Sequence, residues 1–367
     1  MSKVLHLFKT CKPLSYGGVE SVISEMARDS RHCHRVLVVS DKSQMNKELE
    51  CNADIDYIID NLEQIVCLGS TPIPRLSIKL ISDIRKIFSW CDIVMLHFPW
   101  PIGDLLYALF GQEKKLYICY HSDIIKQKYL SYLYAPIMLK SFKRASKIFT
   151  TSPNYAVSSQ VLRRYKEKVC VIPLGISKTP CSLDIRLPEI TEPYALYIGA
   201  HRYYKGLNYL VEAASYFKHT LILVGHGSET VKIMKMAKDR GIKNIKFMGI
   251  VSEKEKVSLL KGCSCFVLPS IKRSEAFGVC LLEAMMYAKP LITCEIGTGT
   301  SFVNINQKTG IVVPPRNANA LANAIDQLMV DSEMALSLGR AAYERYNNVF
   351  SGDLFRSRYD EIFDNVR

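Results

Sequence analysis

The chain is poor in the features that would settle its class at a glance. Its 367 residues contain no run of about 18 apolar residues, so no helix of it is expected to cross a bilayer and any membrane contact should be peripheral. The stretch Met1-Ser2-Lys3-Val4-Leu5-His6-Leu7-Phe8 reads as a strand and lacks the apolar core of a secretory signal. No C-x-x-C occurs. The twelve cysteines are scattered, several of them inside apolar runs as Cys119 is, and the closest pair, Cys263 and Cys265, has no partners at metal-ligand spacing. Reduced, mostly buried thiols in a cytosolic protein are expected. The only D-x-D, Asp54-Ile55-Asp56, stands without other carboxylates and reads as a surface loop, so no metal site and no cofactor is expected. There is no G-x-G-x-x-G, and Gly225-His226-Gly227 lacks the third glycine of a dinucleotide fingerprint. There is no G-x-S-x-G either, which makes His121-Ser122-Asp123 a poor candidate for a hydrolase triad.

Acidic residues are the minority sign, 35 against 48 basic, for a net charge of +13. The excess is uneven. Residues 1–180 hold 25 Lys/Arg and 16 Asp/Glu, a net of +9, and residues 181–367 hold 23 and 19, a net of +4. The first half should face something anionic: nucleic acid, phospholipid or a phosphorylated substrate. With 48% apolar and 23% charged residues the chain is neither disordered nor fibrous, and its length suits two domains.

Short β-rich apolar runs at 4–8, 35–40, 92–98, 115–120, 147–151 and 169–173 alternate with helical patterns. After a polar, proline-bearing stretch at 177–193 the alternation restarts. Strands are expected at 194–199, 220–225, 245–249, 265–270, 290–295 and 310–314, and helices at 206–217, 279–288, 318–330, 332–347 and 351–366. Buried strands alternating with helices imply βαβ units. The fold class read from this is α/β: two doubly wound Rossmann-like domains, 1–178 and 190–350, facing a central cleft. Ligands are expected at the carboxyl ends of the strands.

The candidate residues sit at those ends. In Glu275-Ala276-Phe277-Gly278-Val279-Cys280-Leu281-Leu282-Glu283, two acceptor-only carboxylates flank a helix entrance whose amides at Phe277, Gly278 and Val279 are free. That suits a polyhydroxylated ligand, although a capping glutamate and a solvent-facing one would read the same. In His201-Arg202-Tyr203-Tyr204-Lys205-Gly206 two cations precede a helix whose dipole disfavours them, which is consistent with a bound diphosphate or with two solvated loop cations. Gly17-Gly18 would let a ligand approach the first helix, or form a plain tight turn. His121 ends a strand, where either a ligand contact or a structural histidine fits. Residues 126–168 carry ten Lys/Arg, among them Lys126, Lys128, Lys140, Lys143, Arg144 and Lys147, against one acid, Glu167, with aromatic and aliphatic residues interleaved. Such a segment can lie on an anionic bilayer or be a solvated face over a core stripe.

Gly17-Gly18, His121, Arg202, Lys205 and Glu275-x7-Glu283 together resemble the retaining GT-B glycosyltransferases of family 4, over essentially the whole chain. The strings His121-Ser122-Asp123-Ile124, Ser152-Pro153-Asn154-Tyr155 and Val171-Ile172-Pro173-Leu174-Gly175 look like the bacterial branch that builds O-antigen and capsule, often as mannosyltransferases. The resemblance implies that Arg202 and Lys205 hold the donor diphosphate and that Glu275 binds sugar hydroxyls with the amides near Phe277, Gly278 and Val279. It further implies that Glu283 takes the ribose, that His121 meets the donor sugar, that Gly18 lies near phosphate and acceptor with Gly17, and that Gly225 and Val251 flank the base. Residues 351–367 would cross back to the first domain. His201 departs from a pattern that often has glycine before the arginine.

The implied enzyme transfers a hexose from GDP-mannose, or alternatively from a UDP-hexose, to a polyprenyl-diphosphate-linked saccharide. It would retain configuration, need no metal, and work at the anionic inner face of the cytoplasmic membrane, with no nucleic-acid partner. Two competing readings are a sugar-nucleotide epimerase of the same shape, which needs acid/base carboxylates not found here, and a basic nucleic-acid-binding protein, for which no motif speaks.

Overall fold

The computed structural model describes residues 1–11, 17–38, 64–67, 78–124, 128–178 and 193–366, with backbone alone at 64–67, 78–80 and 128–132. The chain divides into two units: Met1–Thr151 with Ser159–Ser177 and Gly352–Arg367, and Ser152–Ser158 with Lys178–Ser351. The short segment Ser152–Ser158 thus groups with the second unit, where Asn154 Nδ2 donates to Ser301 Oγ (3.2 Å) and Ser158 Oγ to the carbonyl of Gly297 (2.9 Å).

The first unit holds a seven-stranded parallel sheet. Its strands are β1 (Lys3–Leu7), β2 (Cys33–Val38), β3 (Gln64–Cys67), β4 (Ile93–Phe98), β5 (Lys115–Tyr120), β6 (Lys147–Thr150) and β7 (Val169–Val171), in the order β3-β2-β1-β4-β5-β6-β7. The second unit holds β8 (Tyr194–Ile198), β9 (Thr220–Val224), β10 (Ile245–Gly249), β11 (Cys265–Leu268), β12 (Leu291–Cys294) and β13 (Gly310–Val313), in the order β10-β9-β8-β11-β12-β13. Central strands are covered on both faces, so they read as unbroken apolar runs; all six residues of β4, Ile-Val-Met-Leu-His-Phe, are buried. Strand order reverses between β1 and β4 and between β8 and β11, and at such a switch point the loops leaving the carboxyl ends part and open a binding crevice.

Several elements differ from the sequence reading. Strand β3 was not anticipated, being four residues long, nor were the helices Ile78–Trp90 and Pro101–Phe110. The helix expected at 206–217 is only Leu207–Ala213, entered through a tight turn Tyr203–Lys205. Asp54 and Asp56 lie outside the described residues. Among the described residues no helix is long and apolar enough to cross a membrane. The last helix, Gly352–Asp364, packs on Gly18–Ala27, and Arg356 ties them by donating to Glu25 and, at 2.8 Å, to Ser177 Oγ.

Four buried histidines cross the first sheet on one face. His34 (β2), His6 (β1), His97 (β4) and His121, just past β5, are linked ring to ring at 2.8, 3.0 and 2.8 Å. Burial pushes His6 and His121 down from 6.5 to about 3, and burial reinforced by the neighbouring imidazoles puts His34 and His97 well below 6.5. All four are therefore neutral in the folded chain.

The linkage has one sign. An unfolded histidine binds a proton near pH 6.5 and these do not, so the stability they permit is present above about 6.5 and declines as pH falls below it, for His6 and His121 down to about 3, at up to ~1.4 kcal/mol per pH unit for each ring. Urea midpoints should therefore drop steeply between pH 6.5 and 5; a midpoint flat over that interval would contradict the neutral assignment.

Candidate active site

The two loops at the second switch point are locked together by backbone geometry. Gly206 has φ +69, and a Cβ there would lie 2.1 Å from the carbonyl oxygen of Pro269. The amide of Ile271 donates to the carbonyl of Tyr204 at 2.8 Å. Only glycine fits such a position, because the turn needs a left-handed conformation and leaves no room for a side chain.

This closure seats Lys205 against Glu275, Nζ to Oε2 at 2.5 Å, each residue 8% exposed. Ser270 Oγ donates to the same Oε2 (2.9 Å), and Thr298 Oγ1 donates to the Glu275 carbonyl (2.7 Å). Burial would push the Lys205 amine toward neutrality, but the carboxylate beside it outweighs this and raises the amine above the ordinary lysine range. Lys205 is a fixed positive charge, though a compensated one. Arg202 is exposed and makes no ion pair among the described residues.

The helix Val279–Met286 starts at Gly278, whose φ is +85, behind the buried ring of Phe277. Glu283 lies one turn in, where Lys256 Nζ reaches Oε1 at 2.9 Å while also holding Glu253 at 2.7 Å. Burial opposes the charge on Lys256, and Glu283 and Glu253 restore it, so its amine is raised as well. The sequence alone reads Glu275 and Glu283 as carboxylates flanking free amides, or as capping and solvent-facing residues, and Lys205 as a cation for a diphosphate or for solvent. In the structure each carboxylate already has a lysine. Lys256, Ser270 and Thr298 were missed; the three-residue spacing of Glu253 and Lys256 on a helix was the one visible sign of an anchored lysine.

Gly225 and Val251 stand at the ends of β9 and β10, joined through the amide of Gly225 and the carbonyl of Gly249 (2.6 Å). His201 is buried, its Nδ1 2.9 Å from Thr230 Oγ1 and its amide on the His226 carbonyl, so the residue that departs from the family pattern stitches two loops together.

In the first unit His121 follows β5, its amide donating to the Phe98 carbonyl at 3.0 Å. Gly17 caps the helix Gly18–Ala27, and a Cβ on Gly18 would meet open space. Glu20, in the first turn, is buried and accepts from Thr10 Oγ1 at 2.5 Å, so the helix entrance already carries a carboxylate that the sequence reading did not weigh. Lys140, Lys143, Arg144 and Lys147 are exposed on or after the helix Lys128–Arg144. Lys126 lies outside the described residues, and of Lys128 only the backbone is described.

Residues 185–345 match the family described as "Glycosyl transferases group 1", and residues 16–179 the family described as "Glycosyltransferase Family 4". The chain is 34% identical to the O-antigen chain mannosyltransferase C of Escherichia coli over 98% of each chain. It is 36% identical to the D-rhamnosyltransferase WbpZ of Pseudomonas aeruginosa, over 95% of this chain and 92% of that one. Among solved structures, Anabaena Alr3699/HepE in complex with UDP superposes with a TM-score of 0.78, at 19% identity and 99% of each chain. Sucrose-phosphate synthase of Thermosynechococcus elongatus gives 0.77, at 19% identity, over 100% of this chain and 99% of that one. At such identities the likeness speaks for the fold.

Removing one partner of a buried ion pair leaves the other charge uncompensated. Glu275→Gln should destabilise the chain by about 3 kcal/mol in urea unfolding. Adding Lys205→Met should recover part of the loss, and strictly additive effects in this double-variant cycle would show that the two groups are not coupled.

Proposed function

The chain belongs to the family 4 GT-B glycosyltransferases, and from that premise we propose that it transfers mannose from GDP-mannose to a saccharide carried on a polyprenyl diphosphate, in bacterial O-antigen or capsule synthesis. The single observation that carries the chemistry is the Lys205–Glu275 pair at a switch point, next to an exposed Arg202 and a glycine-capped helix entrance. The mannosyl donor draws on the named activity of the E. coli relative. A UDP-hexose is the second reading.

In this reaction the bond from the anomeric carbon to the leaving phosphate breaks while a bond to the acceptor oxygen forms, so negative charge grows on the departing β-phosphate. Groups already aimed at that charge stabilise the transition state more than the ground state. Arg202, with no internal counter-charge among the described residues, supplies the net positive field and bidentate donors. Lys205 adds a cation that Glu275 keeps protonated despite burial. The amides at Phe277, Gly278 and Val279 add dipoles of the same sign. Glu275 has a second carboxylate oxygen for a sugar hydroxyl, and Glu283, steadied by Lys256, accepts from the ribose hydroxyls. Gly225 and Val251 border the base, His121 accepts from a hydroxyl of the transferred sugar, and Gly17 and Gly18 leave room on the acceptor side. Attack on the face the phosphate leaves, with the acceptor proton passing to the departing phosphate oxygen, retains configuration. Arg202 and Lys205 do the work that a divalent metal does in other transferases.

A lipid-linked acceptor accords with the surface of the first unit, where Leu109 (62% exposed) and Leu133 (79% exposed) accompany the cations Lys140, Lys143, Arg144 and Lys147. Apolar anchors beside lysines and arginines fit an anionic bilayer.

A ligand that binds only the folded chain raises its stability, by about 2.7 kcal/mol at a hundred times its dissociation constant. In a thermal screen GDP-mannose should stabilise more than UDP-glucose or UDP-galactose. Stabilisation by the UDP-sugars alone would replace the donor, no response to any would sink the transferase reading, and an inverted anomeric centre in the product would sink retention. The membrane reading is checked separately by sedimentation: anionic liposomes should carry the protein down at low salt, and equal recovery with neutral liposomes would remove it.

A further inference from the structure

The four histidines of the first sheet lie on a diagonal. The register pairs Val4 with His34, His6 with Met95, and His97 with Cys119. Each histidine therefore stands two residues nearer the carboxyl edge than its neighbour on the adjacent strand, and a two-residue step keeps all of them on one face. Successive rings are 5.2, 5.2 and 5.1 Å apart, the last pair inclined by only 9°. The diagonal ends at His121 on one side. On the other it ends at Ser30, whose Oγ lies 3.0 Å from His34 Nε2 and 2.7 Å from Asp360 Oδ1.

A neutral imidazole has one N–H and one bare nitrogen, so a line of them must run in one direction. The direction here follows from counting protons. The Asp360 carboxylate has none to give, and its other oxygen faces the amide and guanidinium of Arg31. Ser30 must therefore donate its only proton to Asp360, and its oxygen accepts, taking the amide of His32 (3.2 Å) and Nε2–H of His34. Nδ1 of His34 is then bare and accepts Nε2–H of His6; Nδ1 of His6 accepts Nε2–H of His97; Nδ1 of His97 accepts Nε2–H of His121. Nδ1 of His121 is left bare, with no hydrogen-bond partner among the described residues.

We propose that His34, His6 and His97 are positioning residues: anchored by Ser30 and Asp360, they hold His121 as its Nε2–H tautomer, so that Nδ1 faces the transferred sugar as an obligate hydrogen-bond acceptor. The selected group is a hydroxyl, which can donate to that nitrogen; an acceptor-only group such as a phosphate oxygen is turned away. The depressed basicity of all four rings, a result of burial, keeps protons from scrambling the order. His97, Cys119 and His121 also bring three ligand atoms within 4.8 Å of one another. The proton shared by His97 and His121 occupies the nitrogens a cation would take, and burial pushes the Cys119 thiol up to about 12, away from the thiolate that binds metal.

The inference rests on the role of His121 proposed above, whose own test is the transfer rate of His121→Ala; ring-nitrogen NMR of the 15N-histidine-labelled full chain, recorded at neutral pH without sugar, reads the tautomers independently. The expected spectrum has all four rings neutral with protonated Nε2. Ser30→Ala should release the anchor, give mixed tautomers at His121, and lower kcat about fivefold, the worth of one hydrogen bond. Asp360→Asn should go further. With its amide oxygen kept on Arg31 it offers N–H to Ser30, reverses every bond in the line, and turns His121 into the Nδ1–H form. A wild-type spectrum with protonated Nδ1 on His121, a His121 tautomer unmoved in both variants, or stoichiometric zinc released from purified protein with loss of the His97–His121 proton would overturn the proposal.

Discussion

A lysine withdrawn from water keeps its charge when a carboxylate goes with it, and the second unit uses that pairing twice. Lys205 meets Glu275, three residues before Gly278 opens its helix, because Gly206 lets one loop pass against the backbone of the next. Glu283 obeys the same rule through Lys256. The first pair is buried and the second half-buried, and together they leave the balance of positive field to Arg202. The first unit solves the opposite problem. Its polar rings are buried without counter-ions, so they give up their charge and bond to one another. One unit holds fixed charge and the other holds fixed donors and acceptors.

Much of the architecture was legible. Parallel strands buried on both faces appear as apolar runs, and their alternation with helical periods carried the two-sheet reading. The strands that escaped notice, such as Gln64–Cys67, are too short to stand out. The carboxylates Glu275 and Glu283 were legible because their spacing brackets a glycine-led helix. Their lysine partners were less so. Lys205 was seen as a cation but not as half of an ion pair, since the pairing depends on loops from strands that are neighbours in space and about seventy residues apart in sequence.

The histidine diagonal was invisible for a related reason. His6, His34, His97 and His121 show no common spacing along the chain. Only the strand register, which advances two residues per strand, aligns them. The His121 position was found as a strand end, but its tautomer follows from Ser30 and Asp360, the latter on the last helix.

Cys280 occupies the first turn of the helix behind Gly278, a place where backbone amides ordinarily acidify a thiol. Here burial wins, with Glu275 and Glu283 acting in the same sense against the pull of Lys205, and the thiol is pushed up to about 12. The sulfur stays uncharged at any physiological acidity. A sulfur anion there would quench the helix terminus from within; its suppression leaves that terminus electrically vacant for an incoming anion and makes the residue inert toward electrophiles.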